Sequence, residues 1–349
     1  MDIRVEFSQL VADVEAEMQS ILDEHSGPAR PLYEMLAYHL GLDGEDGSSG
    51  KRIRPLLGLL VIRALGADYR RALPGAAAVE LGHNFSLVHD DIQDADRERR
   101  HRATLWALYG VPQAINAGDA LFALSRLALY RLAAEKDDPE APEAPDARQV
   151  LDLMKIYDET CLALCEGQFL DISFEGRLDV TVDEYLQMIE LKTAALMAAG
   201  VEAAAILASQ DPTVIAGFRR FGDRLGLAFQ MADDVKGSFW EESASGKAEA
   251  GDLRRRKKTM PVIWALNHAG TADQERLREL FAPIEGGRQL TDVEVAEALA
   301  ILDRSGARET TLGEARRYRD EALAELVDLP LEPAARAELV MFVESMIAA

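Results

Sequence analysis

The sequence predicts an all-α protein, folded as a single large helical bundle around a central cavity. Apolar residues recur at helical spacing along almost the whole chain, and no segment shows the alternating pattern of a β-strand. Aromatic residues make up only 6% of the 349 residues, whereas the helix-forming residues alanine and leucine are abundant. No irregular segment is long enough to mark a boundary, so we expect one domain over residues 1–349.

The chain is strongly acidic, which limits the partners that it can bind. With 61 acidic and 38 basic residues its formal charge is −23, so we expect neither nucleic acid nor anionic lipid as a partner. The N-terminus does not resemble a signal peptide, and the apolar stretch 193–208 is short and contains Glu202. We therefore expect a cytoplasmic protein without an integral membrane segment, in which Cys161 and Cys165 are reduced and buried.

Two predicted helices carry adjacent aspartates in apolar surroundings. In the first, His83, Asp90 and Asp94 fall on one helical face, and the two aspartates are one turn apart. Like charges at this spacing destabilise a helix unless a cation lies between them, and Mg²⁺ prefers such carboxylates together with water and phosphate. From these residues alone, a metal site and a solvated acidic helix end are about equally supported.

The second acidic helix carries Asp233 and Asp234 just after Gln230, again in apolar company. Two such helices in one bundle can face each other across a central cavity. Basic residues also cluster, and Lys and Arg with divalent cations are the usual means of holding a diphosphate. The basic segments are residues 50–55 (GKRIRP), residues 97–102 (RERRHR), the Lys-Thr pair at 192–193, and Lys247 with residues 252–259 (DLRRRKKT).

In the order and spacing of these motifs, the chain resembles the trans-isoprenyl (polyprenyl) diphosphate synthases from about Lys51 to Pro261. The ordered set is GKRIRP, HNFSLVHDDIQD, RRHRAT, GQFLD, the Lys-Thr pair, the Q-x2-DD element and DLRRRKKTMP. A lone DDxxD would be weak evidence, but this ordered set is specific. The resemblance implies the isoprenoid synthase type of fold. It also implies a homodimeric trans-prenyltransferase that condenses isopentenyl diphosphate with dimethylallyl, geranyl or farnesyl diphosphate.

The resemblance also implies roles for individual residues, position by position. Asp90 and Asp94 are expected to bind two magnesium ions and Asp233 a third, so three Mg²⁺ are expected in the active site. Thr193 and Gln230 are expected to stabilise the allylic cation and, with Lys192, to form the catalytic set. The expected isopentenyl diphosphate contacts are Lys51, Arg54, His83 and Arg100, and the expected allylic diphosphate contacts are Arg99, Lys192, Lys247 and Lys257.

The chain departs from the family pattern at four places. Gly237 stands where many members have the third aspartate of the second motif, so the third magnesium site is the one in question. We expect Glu241, two helical turns after Asp233, to supply the missing carboxylate, although a solvated glutamate explains it equally well. The other departures are His101 and Ala103 in place of Gly and Pro, Ala248 after Lys247, and an end without the basic tail of some members.

Product length is expected to depend on the residues before Asp90. Phe85, five positions before it, is large enough to form part of a cavity floor, while Ser86 lets an isoprenoid tail pass. In the family this pairing resembles that of geranylgeranyl diphosphate synthases, so we expect a twenty-carbon product, with fifteen and twenty-five carbons close behind. The alternative is that Phe85 is core packing and the floor comes from another helix or the dimer partner.

Two other functions remain open on the sequence. A class I terpene cyclase would use the same metals, and Asp233, Gly237 and Glu241 match its second metal motif in part. That function leaves Lys51 and Arg54 without a role, because a cyclase needs no second diphosphate pocket. A non-catalytic subunit of a heteromeric prenyltransferase would be expected to lack the metal aspartates, which this chain retains.

Overall fold

The computed structural model describes residues 5, 7–25, 27–44, 50–133, 145–239, 250–283 and 288–347. Within these ranges the protein is all-α, as predicted, and its only strands form one short antiparallel hairpin, β1 (Glu98–Arg99) and β2 (Arg102–Ala103). The α-helices in chain order are α1 (Ser8–Asp23), α2 (Arg30–Leu40), α3 (Ile53–Ala64), α4 (Leu73–Gln93), α5 (Leu105–Tyr109), α6 (Val111–Tyr130), α7 (Ala147–Glu175), α8 (Val182–Ile189), α9 (Ala195–Ala208), α10 (Pro212–Phe239), α11 (Gly251–Arg254), α12 (Met260–His268), α13 (Thr271–Leu280), α14 (Asp292–Arg304), α15 (Ala307–Glu325) and α16 (Pro333–Ile347).

The chain groups into two compact units, and the first comprises Met1–Cys161, Leu196–Arg219 and Asp328–Ser345. Its centre is α4, which packs along α6 and also contacts α1 and α3. Buried residues occur around the whole circumference of α4, as expected for a helix that neighbours cover on several sides. Gly82 of α4 is required there, because a Cβ would lie 2.1 Å from the hydroxyl of Tyr157.

The second unit comprises Leu162–Ala195, Arg220–Val327 and Met346–Ala349. Helix α8 begins with a capping box, in which Thr181 and Glu184 satisfy each other's backbone N–H groups. A π-helical turn, Glu190–Ala194, follows α8 and carries the Lys-Thr pair. A separate apolar core joins α12 to α15 through residues such as Val262, Leu277 and Ile301.

Three expectations from the sequence have different outcomes. The prediction of one domain over residues 1–349 stays a prediction. Among the described residues, the apolar stretch Val182–Ala208 is long and apolar enough to cross a membrane, yet 67% of its most apolar window is buried inside the protein. The expectation that both cysteines are buried is wrong for Cys165. That residue lies on the face of α7 that also exposes Leu162 and Phe169.

Candidate active site

The segment GKRIRP is anchored by Arg52, a residue that the sequence analysis did not single out. Its backbone is left-handed (φ 51°), a conformation that a non-glycine residue keeps only where its surroundings hold it. The buried guanidinium pairs with Glu80 of α4 at 2.8 Å and with Glu15 of α1 at 3.2 Å, and donates to the Leu40 carbonyl at 2.5 Å. Arg52 thereby fixes the segment that carries Lys51 and Arg54. Glu80, a charged residue within an apolar helix, was the sequence signal for such a partner.

Arg54 and His83, two predicted contacts of isopentenyl diphosphate, meet directly. The Arg54 Nη1 atom lies 3.1 Å from His83 Nε2, and because a guanidinium can only donate, His83 accepts this hydrogen bond. Burial lowers the pKa of His83 well below its usual value, and the charges of Arg54, Arg100 and Arg99 lower it further. His83 is therefore neutral at physiological pH and adds no charge to the cluster of arginines.

A second neutral histidine, His39 of α2, belongs to the same cluster and was missed in the sequence. Burial, followed by the charges of Arg99 and Arg100, lowers the pKa of His39 to about 3. Lys51, which precedes α3, is exposed. Positive charge near the N-terminal end of α3 therefore comes from lysine and arginine alone, an arrangement suited to binding a diphosphate.

The twin arginines lie on the β1–β2 hairpin. The Nε and Nη2 atoms of Arg99 each lie 2.8 Å from Asp91 Oδ1, so Arg99 is held against the end of α4. Burial raises the pKa of Asp91 to about 6, although Arg99 opposes that effect. The guanidinium of Arg100 lies over Gly50, where a Cβ would come within 2.6 Å of it. This close approach explains the glycine that opens the GKRIRP motif.

Asp90 and Asp94 lie at the C-terminal end of α4, where both are half-buried. The C-terminal end of a helix carries partial negative charge, which adds to that of the two carboxylates and favours a cation. Among the described residues, no three His, Cys, Asp or Glu side chains converge as a ready-made metal cage. Hard oxygen donors in ones and twos fit Mg²⁺, which completes its octahedron with water and substrate phosphate.

In the second unit, two glycines let helices approach the π-helical turn closely. A Cβ at Gly167 of α7 would lie 2.4 Å from the Lys192 nitrogen, and one at Gly226 of α10 would lie 2.4 Å from Ala194 Cα. The Lys192 Nζ donates to Asp171 at 2.5 Å. The motif GQFLD therefore has two structural roles. Gly167 lets α7 pack closely against the π-helical turn, and Asp171 orients the Lys192 side chain.

Thr193 and Gln230 form one hydrogen-bonded network with a buried carboxylate. The Thr193 hydroxyl donates to Gln230 Oε1 at 2.8 Å, and Gln230 Nε2 donates to Asp234 Oδ1 at 2.9 Å. Asp234 also accepts from the Tyr185 hydroxyl and, at 2.7 Å, from the Met260 N–H. Because the Thr193 hydrogen is engaged by Gln230, the threonine oxygen presents its lone pairs, as the stabilisation of a cation requires.

A carboxylate from another segment lies against Gly237 of the second acidic motif. Asp233 is exposed on α10, and Gly237 follows one turn later. A Cβ at Gly237 would lie 1.8 Å from Asp252 Oδ2, so the Asp252 carboxylate occupies the volume of the absent third aspartate. The Lys257 N–H donates to the Asp252 carbonyl at 2.9 Å, which ties this predicted diphosphate contact to the same turn.

Most of the predicted site residues are thus among those that the structure describes, and each lies in one of the two units. Two predictions, Lys247 as a diphosphate contact and Glu241 as the replacement carboxylate, lie outside the described residues. The functional residues missed in the sequence are Arg52, His39, Asp91, Asp171 and Asp252. All of these except His39 stand inside motifs that the sequence analysis identified, so their positions were known but their partners were not.

Comparison with known proteins identifies the family of the chain. Residues 32–300 match the polyprenyl synthetase family model. The chain is 37% identical over 337 residues to a (2E,6E)-farnesyl diphosphate synthase of Mycobacterium tuberculosis, covering 95% of this chain and 88% of that protein. It is 40% identical over 312 residues to a geranylgeranyl diphosphate synthase of the same organism, covering 87% of this chain and 83% of that protein.

Solved structures confirm the predicted isoprenoid synthase type of fold. The crystal structure of geranylgeranyl pyrophosphate synthetase from Pyrococcus horikoshii superposes with a TM-score of 0.87 at 30% identity, covering 99% of this chain and 98% of that one. A polyprenyl synthase from Caulobacter crescentus, complexed with calcium and isoprenyl diphosphate, superposes with a TM-score of 0.83 at 28% identity, covering 100% and 97%. The chain belongs to the polyprenyl synthetase family and is a trans-prenyl diphosphate synthase.

Proposed function

We propose that the enzyme condenses isopentenyl diphosphate with dimethylallyl, geranyl or farnesyl diphosphate, and that its main product is geranylgeranyl diphosphate. The observation that carries the two-substrate reaction is the cluster of Arg54, Arg100 and neutral His83, which would hold a diphosphate apart from the metal aspartates. A terpene cyclase would have no use for this cluster. A non-catalytic subunit would have no use for the aspartates at the end of α4.

Residues of the first unit are proposed to bind isopentenyl diphosphate and one set of the metal ions. Lys51, Arg54 and Arg100 would bind the diphosphate of isopentenyl diphosphate through charge-assisted hydrogen bonds. Asp90 and Asp94 would hold two magnesium ions and Asp233, in the second unit, a third. When bound, these ions supply positive charge that stabilises the leaving diphosphate.

The second unit supplies the groups for ionisation of the allylic substrate. Lys192, oriented by Asp171, and Lys257 would bind the allylic diphosphate, and Lys247 is proposed to join them. Thr193 and Gln230 would stabilise the allylic cation with fixed oxygen dipoles, which need no reorganisation during the reaction. The double bond of isopentenyl diphosphate then attacks the cation. The released diphosphate accepts the proton that is lost.

Turnover separates the three candidate functions in one experiment. The purified protein would be incubated with Mg²⁺, labelled isopentenyl diphosphate and each allylic diphosphate in turn, and the products would be sized after dephosphorylation. Labelled prenyl alcohols of increasing length are the expected result. Products formed from the allylic diphosphate without label would indicate a cyclase, and no product with any starter would indicate a silent subunit.

Arg54→Ala is expected to raise the KM for isopentenyl diphosphate about tenfold to a hundredfold and to leave the KM for the allylic substrate nearly unchanged. The reason is that a charge-assisted contact to one substrate is lost selectively. Arg126→Ala, which removes an exposed arginine paired with Asp158, is the matched control. Initial rates with each substrate varied in turn provide the measurement. An equal rise in both KM values would assign Arg54 to some other role.

The proposed product length rests on an aromatic contact between α4 and α6. The ring of Phe85 meets that of Phe122 edge to face, with centroids 5.3 Å apart, and His89 lies at 6.1 Å. His89 fits against α6 because Gly118 has no Cβ, which would lie 2.2 Å from its ring nitrogen. Phe85 is therefore fixed in direction by its neighbours, as a floor requires. Ser86 beside it is small and half-buried.

Phe85→Ala, with farnesyl diphosphate as starter, is expected to lengthen the product by at least one five-carbon unit. Removing the ring would leave space beside Phe122, about one turn before Asp90. Phe218→Ala, which opens a cavity at a fully buried core position of the same unit, controls for loss of stability. Chromatography of the dephosphorylated products gives the readout. An active Phe85→Ala enzyme with an unchanged product would show that Phe85 is core packing.

We also propose that the enzyme is a cytoplasmic homodimer. Support comes from the large apolar side chains that α5 and α6 expose, because apolar side chains exposed together can mark a protein–protein interface. A second copy of the chain would cover them. Light scattering coupled to gel filtration tests this directly, and a monomer at micromolar concentration would contradict it. The exposed residues are Leu108, Tyr109, Val111, Ile115, Leu127 and Tyr130.

A further inference from the structure

We propose that Arg102, together with Tyr38 and Asp43, is a positioning group that holds the twin-arginine turn in its binding conformation. We call these three residues the Arg102 clamp. The inference rests on the proposed function, because the diphosphate-binding roles of Arg99 and Arg100 are part of that function. The clamp itself touches neither substrate and acts through the backbone of the hairpin.

The turn that the clamp holds is locally unfavourable. Strand β1 pairs with β2 so that Glu98 faces Ala103 and Arg99 faces Arg102, which leaves Arg100 and His101 as a two-residue loop. Their φ angles are 53° and 60°. Loops of this kind strongly favour Asn-Gly or Gly-Gly, because side chains other than glycine, asparagine and aspartate are disfavoured in the left-handed region. Arginine is disfavoured in this conformation, and histidine adopts it less readily than glycine does.

The replacement of the usual glycine by His101 therefore has a structural consequence. With glycine, the loop would adopt the left-handed conformation at little cost. With histidine, the conformation persists only if contacts outside the loop determine it. Those contacts should act on the strand residues that flank the loop, and Arg102 and Ala103 are the first two residues after it.

The contacts are made by the last turn of α2 and the residues that follow it. The guanidinium of Arg102 lies 3.8 Å from the centre of the Tyr38 ring, and its Nη1 donates to the Tyr38 carbonyl at 3.2 Å. The same guanidinium pairs with both oxygens of Asp43. The Tyr38 hydroxyl in turn donates to the Ala103 carbonyl at 2.9 Å. Arg102 is only 16% exposed, so these interactions are partly shielded from water.

The clamp and the GKRIRP segment share one support. The Leu40 carbonyl at the end of α2 accepts a hydrogen bond from Arg52, and the Tyr38 carbonyl accepts one from Arg102. Carbonyl groups in the last turn of a helix have no partner within the helix and attract arginine. The two loops also meet, since Arg100 lies over Gly50. The end of α2 therefore supports the two segments that carry Lys51, Arg54 and Arg100, three of the proposed contacts of isopentenyl diphosphate.

A purely structural role for Arg102 makes a different prediction from positioning. If the clamp only stabilised the fold, its loss would lower the melting temperature and leave both KM values unchanged. If it positions the turn, its loss should weaken substrate binding, and a change that restores the local preference of the turn should restore binding. His101→Gly is such a change, because it acts on the loop without replacing any contact of Arg102.

The experiment compares Arg102→Ala with the double variant Arg102→Ala/His101→Gly in the full-length enzyme. Arg102→Ala is expected to raise the KM for isopentenyl diphosphate about tenfold, which corresponds to about 1.4 kcal/mol. Adding His101→Gly is expected to bring the KM for isopentenyl diphosphate most of the way back to that of the unmodified enzyme. Arg126→Ala again serves as the control, since it breaks an arginine–aspartate pair far from the hairpin in sequence. Far-UV circular dichroism and thermal unfolding would accompany each assay.

An unchanged KM in Arg102→Ala, or no recovery in the double variant, would overturn the proposal. If Arg102→Ala is insoluble, Tyr38→Phe offers the same comparison, because it keeps the ring and removes only the hydrogen bond to Ala103. If the Arg102 variants contradict the clamp proposal while Arg54→Ala behaves as expected, the proposed function still stands. Absence of turnover with isopentenyl diphosphate in the unmodified enzyme would instead reject the proposed function.

Discussion

Asp90→Ala and Asp94→Ala are each expected to lower kcat at least about a hundredfold while the helical fold survives. The two carboxylates are half-buried at the C-terminal end of α4, where the helix end adds negative charge of its own. Removing either one lowers the affinity for magnesium at the step where charge develops on the leaving diphosphate. The helix end itself should persist, because the Asp94 N–H donates to the Asp90 carbonyl through backbone atoms alone.

Steady-state rates over a magnesium titration would provide the measurement, with circular dichroism as the check on folding. Asp152→Ala removes an exposed aspartate of α7 that pairs with Arg148, and it should leave kcat unchanged. A second readout does not require turnover. Mg²⁺ with inorganic pyrophosphate should raise the melting temperature of the unmodified enzyme more than that of either variant. Most of the activity retained at saturating magnesium would refute the assignment of these aspartates as ligands.

The helices and their local motifs were predictable from the sequence because helical spacing is a local property. His83 and the aspartates of the first motif lie on α4 as their spacing indicated, and the Lys-Thr pair lies on a turn adjoining α9. The resemblance to the family added roles to these positions. The spacing did not reveal that this turn is π-helical, or that Gly167 and Gly226 from distant segments lie close to it.

Contacts between distant segments were not predictable. Arg52 is held by Glu80 and Glu15, and Arg102 is held by Asp43, but many other acidic residues were equally plausible partners in an acidic chain. Burial of an arginine depends on which helices cover it, and no local pattern records that. The same limit applies to Asp252, whose contact with Gly237 no local pattern indicates, while the role expected for Glu241 stays a prediction.

Gly237→Ala is expected to lower kcat about tenfold to a hundredfold and to raise the magnesium concentration required for half-maximal rate. A methyl group at this position would lie 1.8 Å from Asp252 Oδ2 and 2.7 Å from its Cγ, so the carboxylate must move. Its displacement disturbs the turn that carries Lys257, whose N–H is bonded to the Asp252 carbonyl. Asp252→Asn keeps the volume and removes the charge, and it therefore separates the electrostatic effect from the steric one.

A double variant that moves the carboxylate from residue 252 to residue 237 is a more specific test than either single variant. In Gly237→Asp/Asp252→Ala the carboxylate moves from α11 to α10, and there is room for it, because the Cβ positions of the two residues would lie 3.5 Å apart, an ordinary contact. We expect this double variant to recover magnesium dependence and stabilisation by Mg²⁺ with pyrophosphate that Asp252→Ala alone loses. Glu241→Gln tests the alternative that the sequence suggested. If Asp252→Asn leaves the magnesium requirement unchanged and Glu241→Gln raises it, then Gly237 only makes room for Asp252, and the third carboxylate comes from Glu241.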